Sequence, residues 1–152
     1  MIIEMFVSLK IPDNVAITAF NTLERMKFKE LKKLERSDYY KFDVQGNVED
    51  FKKKISNMDI LVNSNKNNYN FELSNVKNNF KIMNILIQDI DPADNLLKTL
   101  KERLGFTNIK KLEKGILWVM HFDKKVNAKK AAVDITKSLL MNENYQKYRI
   151  MK

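Results

Sequence analysis

The sequence has no cysteine and is poor in glycine, proline and histidine: its 152 residues include three glycines, two prolines and one histidine. Without cysteine the chain forms no disulfide, no thiolate metal site and no cysteine nucleophile. The glycines, at positions 46, 105 and 115, do not build a phosphate-cradling loop or a dinucleotide-binding fingerprint. Because a zinc site with one histidine would need carboxylates for its other ligands, we expect neither a metal nor a cofactor.

Long apolar runs are also missing. No stretch approaches the roughly 20 apolar residues that span a bilayer. The N-terminal segment lacks the basic start and the apolar core of a signal peptide. The absence of cysteine is compatible with a reducing compartment. We therefore expect a cytoplasmic protein.

Basic residues outnumber acidic ones by 28 to 19, which gives a net charge of +9. Such an excess is typical of proteins that bind nucleic acids. The lysines are spread through both halves, however, and a solvated surface explains them more simply. Aromatic residues of the predicted strands are interpreted as core, because the glycine–aromatic signature of RNA-binding modules is missing. They are Tyr39, Tyr40, Trp118 and Phe122.

A block of 13 residues occurs twice, at residues 24–36 and 102–114, without a gap and with seven identical positions. The apolar residues keep the same spacing in both copies. The offset of 78 residues also relates segments that lie before and after the block. We interpret this pattern as an internal duplication, with a first repeat at residues 1–76 and a second repeat at residues 77–152.

Periodicity and turn residues predict the same order of elements in each repeat: strand, helix, hairpin, helix, strand. In the first repeat the predicted elements are a strand at 2–10, a helix from Asp13 to about Lys27, a hairpin of 31–36 and 39–44 with a turn at Ser37-Asp38, a helix at 48–58 and a strand at 69–73. In the second repeat they are a strand at 80–90, a helix from Asp91-Pro92 to Leu104, a hairpin of 108–114 and 116–122 around Gly115, a helix at 128–139 and a strand at 144–151.

This order predicts an α+β fold of two tandem β-α-β-β-α-β units, with antiparallel sheets and helices on one face. The predicted strand at 116–122 carries apolar residues on both faces, such as Trp118 on one and Leu117 on the other. A sheet with one wet face does not show this pattern. We therefore expect the two units to pack against each other as a pseudo-twofold dimer.

The sequence identifies no catalytic centre. No partner for His121 is recognisable, and we expect this histidine at the surface or at a strand edge. No serine–histidine–aspartate arrangement is indicated. Asp13 and Asp91 recur in the two repeats, but both stand where a helix is predicted to begin, so we assign them to helix capping.

Two lysine pairs recur in the repeats, Lys32-Lys33 and Lys110-Lys111. Both pairs fall on predicted strands. They are candidates for gripping a phosphate or an acidic protein surface. An equally good explanation is a charged strand edge that discourages aggregation.

Several short motifs together resemble a known family. Residues 5–10 match a Val-x-Val-Ser-Leu-Lys-like opening strand, and residues 104–105 match a Leu-Gly segment ahead of a hairpin. Residues 139–142, followed by Tyr148, match a Leu-Leu-x-Asn ending with a tyrosine a few positions on. These features resemble PurS, the small subunit of multi-subunit phosphoribosylformylglycinamidine synthase. The family's basic hairpin residues are not matched, since Glu35 and Glu113 stand in that region.

The resemblance implies a fused dimer, because PurS proteins are about half this length and pair as dimers. It also implies an accessory protein with no catalytic site of its own. Such a protein binds the large synthetase subunit (PurL) and the glutaminase subunit (PurQ), and supports ammonia transfer for the ATP-dependent amidation of formylglycinamide ribonucleotide. The candidate partner-binding residues are Lys10, Lys32, Lys33, Lys110, Lys111, Asn142 and Tyr148.

Two other functions stay open. One is a basic nucleic-acid-binding α+β protein, which the net charge favours. The other is a ligand-sensing regulator with a small molecule between the halves. Further self-association of the chain also stays open.

Overall fold

The alternating residues at the N-terminus form the first strand, as predicted. A computed structural model describes residues 1–73 and 79–151. In strand β1 (Ile2–Leu9), Ile3, Met5 and Val7 are buried on one face of the sheet. Side chains in a strand alternate between faces, so this spacing of two residues is what directs β1 onto a core.

The elements follow the order strand, helix, strand, helix, strand, and this order occurs twice. The first five elements are β1 (Ile2–Leu9), α1 (Asn14–Arg25), β2 (Leu31–Val44), α2 (Val48–Ile55) and β3 (Asn67–Asn70). The next five are β4 (Lys81–Asp89), α3 (Asp94–Glu102), β5 (Ile109–Phe122), α4 (Ala128–Ile135) with a π-helical turn at Thr136–Leu140, and β6 (Gln146–Met151). None of these helices is long and apolar enough to cross a membrane.

The six strands form one antiparallel sheet in the order β3-β1-β2-β5-β4-β6. In the β1–β2 ladder Val7 lies opposite Asp38, and in the β4–β5 ladder Ile87 lies opposite Ile116. The predicted α+β class is thereby confirmed.

Both predicted hairpins are wrong, because β2 and β5 are single strands of 14 residues each. Ser37-Asp38 and Gly115 continue their strands instead of turning. The reason is that the two ends of each strand serve different cores: in β2, Leu34 belongs to one core and Phe42 to another. One extended strand thereby contributes side chains to both cores.

Two compact units combine segments from both halves of the sequence. Unit 1 consists of residues 1–11, 38–73 and 91–115. Unit 2 consists, within the described residues, of 12–37, 79–90 and 116–151. Helix α1 thus belongs to the unit that holds β4 and β6, and helix α3 to the unit that holds β1 and β3. The predicted repeat boundary between residues 76 and 77 lies outside the described residues.

The core of unit 1 is rich in aromatic side chains. Phe51 of α2 lies with its ring centroid 5.2 Å from that of Phe42 and 5.9 Å from that of Phe106, both in edge-on geometry. Leu100 of α3 is fully buried in the same cluster. The second half of the sequence therefore supplies part of the core that covers β1.

The core of unit 2 has the reciprocal composition. Leu23 of α1 is fully buried in a cluster with Ile85 of β4, Trp118 of β5 and Ile135 of α4. Val15, near the start of α1, is half exposed, whereas Leu23 on the same helix is fully buried. The first half of the sequence therefore closes a core made mostly from the second half.

Capping of α1 by Asp13 is confirmed. The Asp13 carboxylate accepts hydrogen bonds from the backbone N–H groups of Val15, at 3.0 Å, and Ala16, at 3.3 Å. The same carboxylate also accepts a 2.9 Å bond from Arg36 Nε. Its capping role therefore belongs to a wider contact between α1 and β2.

The capping role predicted for Asp91 is wrong. Helix α3 begins at Asp94, with Ala93 as its N-cap and no side-chain capping bond. The backbone carbonyl of Ala93 accepts the bond from Leu97 N–H at 3.1 Å, so the first helical turn starts after Pro92. Asp91 consequently lies too far ahead of the helix to cap it.

Candidate functional site

His121 is buried on the inner strand β5, so the predicted position at the surface or at a strand edge is wrong. It lies on β5, and its neighbours Met120 and Phe122 point into the core of unit 2, which puts His121 on the opposite face of the sheet. Only 3% of His121 is exposed, and its Nε2 lies 2.8 Å from Glu35 Oε1. The ring of Phe80 contacts the imidazole edge-on at 6.3 Å. The imidazole of His121 is therefore shielded from solvent on this face of unit 2.

The sequence did not point to Glu35 as the partner of His121. The two residues are 86 positions apart, and they meet because β2 and β5 are neighbours in the sheet. A hairpin at residues 31–44 would have placed Glu35 beside the strand at 39–44 instead. A histidine oriented by a carboxylate has the geometry of a general base.

Further polar side chains are buried on the same face of β4. Asn84 is 9% exposed and Gln88 is 8% exposed. The Oδ1 atom of Asn84 has no hydrogen-bond partner in the described part of the chain. Within residues 1–73 and 79–151, however, no three side chains of histidine, aspartate or glutamate group as metal ligands do. The buried polar side chains of this face thus offer donors and acceptors for hydrogen bonds.

A groove of about 500 Å³ opens between α1 and the π-helical turn of unit 2. Trp118 forms its base, while the partly exposed side chains of Val15 and Leu139 line its mouth. The backbone bond from Met141 N–H to the Thr136 carbonyl, at 3.0 Å, closes the wide turn that carries Leu139. Since single π-helical turns are frequent at functional sites, this groove is the first candidate contact surface.

A second cavity, of about 540 Å³, lies in unit 1 between the start of α2 and the turn before β5. Its walls include Gly46, Asn47, Gly105 and Asn108, together with apolar side chains such as Phe51. Gly46 and Gly105 both have positive φ angles, of 92° and 77°. With Asp50 and Lys54 also in its wall, the cavity has no excess of either charge.

The predicted lysine pair of unit 2 forms local ion pairs. Lys32 Nζ lies 3.8 Å from Asp123, and Lys33 Nζ lies 3.9 Å from Glu35. Both lysines are largely exposed. Exposed pairs of this length contribute little to stability, so the two lysines are accessible to a partner.

The other predicted lysines belong to unit 1. Lys110 and Lys111 are exposed on β5. Lys10 donates a 2.7 Å hydrogen bond from Nζ to the Ser64 carbonyl, which ties the end of β1 to the turn before β3. The five predicted lysines are thus divided between the two units.

The predicted residues Asn142 and Tyr148 have structural contacts. Asn142 Oδ1 accepts a 3.0 Å bond from Asn144 N–H, and Asn142 N–H donates a 3.0 Å bond to Gln146 Oε1. Tyr148 is half buried against the core of unit 2. The bonds of Asn142 stabilise the turn that leads into β6, and Tyr148 packs from β6 onto the core.

Tyr40 has a perturbed ionisation. Burial of the phenol, and secondarily the nearby Asp38 carboxylate, raise the pKa of Tyr40 to about 12. The folded chain therefore holds this proton more tightly than the unfolded chain, whose tyrosines ionise near pH ~10. Stability that is present below pH ~10 is lost as the pH rises towards ~12.

We expect Tyr40→Phe to reduce this alkaline loss of stability by about 1–2 kcal/mol, a value discounted because the ring is partly exposed. The measurement is urea unfolding between pH 9 and 12, together with the tyrosinate absorbance. Tyr145→Phe is the matched control, because Tyr145 is 70% exposed. Identical pH profiles for the two variants would contradict the prediction.

No model of a known protein family matches the chain, and a search of curated proteins likewise finds no match.

Proposed function

We propose that the chain is a non-catalytic assembly subunit of phosphoribosylformylglycinamidine synthase, made of two PurS-like repeats fused as a pseudo-twofold dimer. In this role it binds the large synthetase subunit and the glutaminase subunit. Ammonia released from glutamine then reaches the ATP-dependent amidation step within one complex. The carrying observation is the recurrence of one architecture in both halves of the chain.

The turns before the last strand of each half support this proposal most directly. In the first half, Asn65 N–H donates to Asn63 Oδ1 at 3.0 Å, and Asn63 N–H donates to the side chain of Asn67 at 2.9 Å. The equivalent bonds in the second half start from Asn144 and Asn142, both at 3.0 Å. The repetition of this network at equivalent positions supports a common origin of the two segments.

The helix ends support the duplication as well. Asn47 accepts from the third residue of α2, and Asn127 accepts from the third residue of α4, in the same capping bond. The turns after α1 and α3 each contain a residue with positive φ, Lys27 at 70° and Gly105 at 77°. Because a lysine adopts this conformation at a cost, its position opposite a glycine favours descent from a common turn.

The groove of unit 2 supplies a contact surface for a partner subunit. Leu139 and Leu140 belong to the segment that resembles the family ending, and both line the groove beside Trp118. Leu139 remains 38% exposed and Val15 50% exposed. Apolar side chains around a concave surface are typical of protein interaction sites.

The test is reconstitution with the large synthetase and glutaminase subunits of a synthase that requires PurS. We expect the chain to co-elute with them and to restore glutamine-dependent amidation. Adding the chain should raise the amidation that uses free ammonia by a smaller factor. Leu139→Glu should lower the affinity for the partner subunits by a factor of about ten or more, because it puts a charge into a desolvated contact.

Ile17→Glu is the matched control, because Ile17 lies on α1, is 47% exposed and does not line the groove. This variant should behave like the unmodified chain. Failure of the unmodified chain to co-elute or to raise glutamine-dependent activity would overturn the proposed function.

A further inference from the structure

The positive charge of the chain is concentrated in unit 2. Among its described residues, unit 2 has fourteen lysines and arginines against eight aspartates and glutamates. Unit 1 has twelve against eleven. Unit 1 is thus nearly neutral and unit 2 is basic, although both units are built from the same kinds of helices and strands.

Half of the basic residues of unit 2 lie at one end of it. Three contacts join the segments of this end: Asp123 N–H donates to the Glu30 carbonyl at 3.4 Å, Lys32 Nζ lies 3.8 Å from Asp123, and Lys81 Nζ donates to the Val126 carbonyl at 2.9 Å. We call this surface the lysine end. Its lysines are Lys29, Lys32, Lys81, Lys124, Lys125, Lys129 and Lys130.

These lysines are accessible. All seven are exposed, and in the described part of the chain Lys32 alone among them has an ion-pair partner. The acidic side chains interspersed with them are Glu30 and Asp123. The lysine end therefore carries a local excess of positive charge, with seven lysines against these two carboxylates.

Two lysines of the lysine end lie where a positive charge destabilises helix α4. Lys129 and Lys130 lie in the first turn of α4, where the helix dipole disfavours cations. The corresponding turn of α2 carries Glu49 and Asp50, which the dipole favours. A local rule broken in one repeat and obeyed in the other indicates a function for the charges.

We propose that the lysine end binds the phosphate backbone of nucleic acids without sequence preference, as an activity independent of the proposed assembly role. Protein interfaces are depleted in lysine and enriched in arginine and aromatic residues. The lysine end has no arginine, and Phe80, 38% exposed, is the large apolar side chain beside it. Phosphate backbones require only accessible cations, whereas base recognition needs shaped donors such as the arginine fork.

The experiment is a fluorescence anisotropy titration of the full chain with duplex and single-stranded oligonucleotides of random sequence. We expect micromolar binding at ~50 mM salt, with an affinity that falls steeply as salt is raised. Replacing Lys124, Lys125, Lys129 and Lys130 together by glutamine should weaken binding at least about tenfold and reduce the slope of log affinity against log salt by about 3.

The control variant replaces four exposed lysines of unit 1 by glutamine and lowers the net charge by the same amount. These lysines are Lys53, Lys54, Lys66 and Lys98. We expect the control to keep its affinity within about threefold and its slope within about 1. A third variant, with arginine at the four positions of the lysine end, should bind like the unmodified chain and thus separates loss of charge from loss of fold.

Three results would overturn the proposal. One is the absence of binding by the unmodified chain at ~50 mM salt. Another is an equal loss in the two glutamine variants, which would mean that only net charge matters. The last is displacement of the oligonucleotide by polyglutamate at an equal concentration of charge, which would identify an acidic protein surface as the ligand. None of these results depends on the synthase subunits, so they leave the proposed function untouched.

Discussion

Shortening Leu23 to alanine should lower the free energy of unfolding by about 3 kcal/mol. Leu23 belongs to α1 in the first half of the sequence, yet its fully buried side chain packs in the core of unit 2 with Ile85 and Trp118. The substitution removes apolar contacts and leaves a cavity that the surrounding strands fill only in part. Urea unfolding measures the effect, and thermal unfolding should shift downwards by about 6–12 °C.

The control for Leu23→Ala lies on the same helix. Ile17 is 47% exposed, so Ile17→Ala should change stability by less than about 0.5 kcal/mol. Leu100→Ala, which truncates the fully buried leucine of α3 in unit 1, should cost about as much as Leu23→Ala. A loss below about 1 kcal/mol for Leu23→Ala would show that α1 does not pack in this core.

Cutting the chain between Leu73 and Asn79 should leave the two halves bound to each other. A protease site introduced there yields one fragment with β1, α1, β2, α2 and β3 and another with the remaining elements. Unit 1 needs Leu100 and Phe106 from the second fragment, and unit 2 needs Leu23 from the first. Neither fragment completes a core alone, so neither should stay folded after separation.

Native size-exclusion chromatography checks this result. The cut protein should elute at the position of the intact 18.0 kDa chain and separate into fragments only in denaturant. Its stability should become dependent on concentration, because cutting converts an intramolecular contact into an association. Two fragments that separate and stay folded without denaturant would contradict the packing of α1 in the core of unit 2 and of α3 in the core of unit 1.

Local patterns in the sequence were sufficient for much of this fold. The alternation of Ile3, Met5 and Val7 predicted β1, and Asp13 predicted the start of α1. Both signals come from residues within one element, where side-chain period and capping chemistry act over a few positions.

Pairing between distant segments could not be read in the same way. The hairpins were predicted because Ser37-Asp38 has turn chemistry, but the pairing of β1 with residues 38–43 of β2 outweighs that local preference. The aromatic and β-branched residues at 39–44 predict a strand, and they are compatible with either arrangement. Only the partners on neighbouring strands distinguish a hairpin from one long strand.

The candidate sites were likewise predictable only where local residues define them. The groove includes Leu139, which belongs to a segment that the sequence analysis had singled out. Its other wall is formed by α1, which packs in unit 2 although it comes from the first half of the sequence. The pairing of His121 with Glu35 and the cluster of lysines around Asp123 depend on strand neighbours that no local pattern encodes. Composition predicted the amount of positive charge and missed its uneven division between the units.

The packing of α1 and α3 in the core of the opposite half also affects how the nascent chain folds during synthesis. After residue 73 has been synthesised, the apolar sides of β1, β2 and α2 lack Leu100 and Phe106 and have no completed core to enter. At ~5–20 residues per second, translation takes about 2–7 s to supply those side chains. During this interval a chaperone that holds apolar segments has its natural substrate in the first half of the chain. The last segment of unit 1 ends at residue 115, whereas unit 2 also needs β6, so the core of unit 1 is complete in sequence before the core of unit 2.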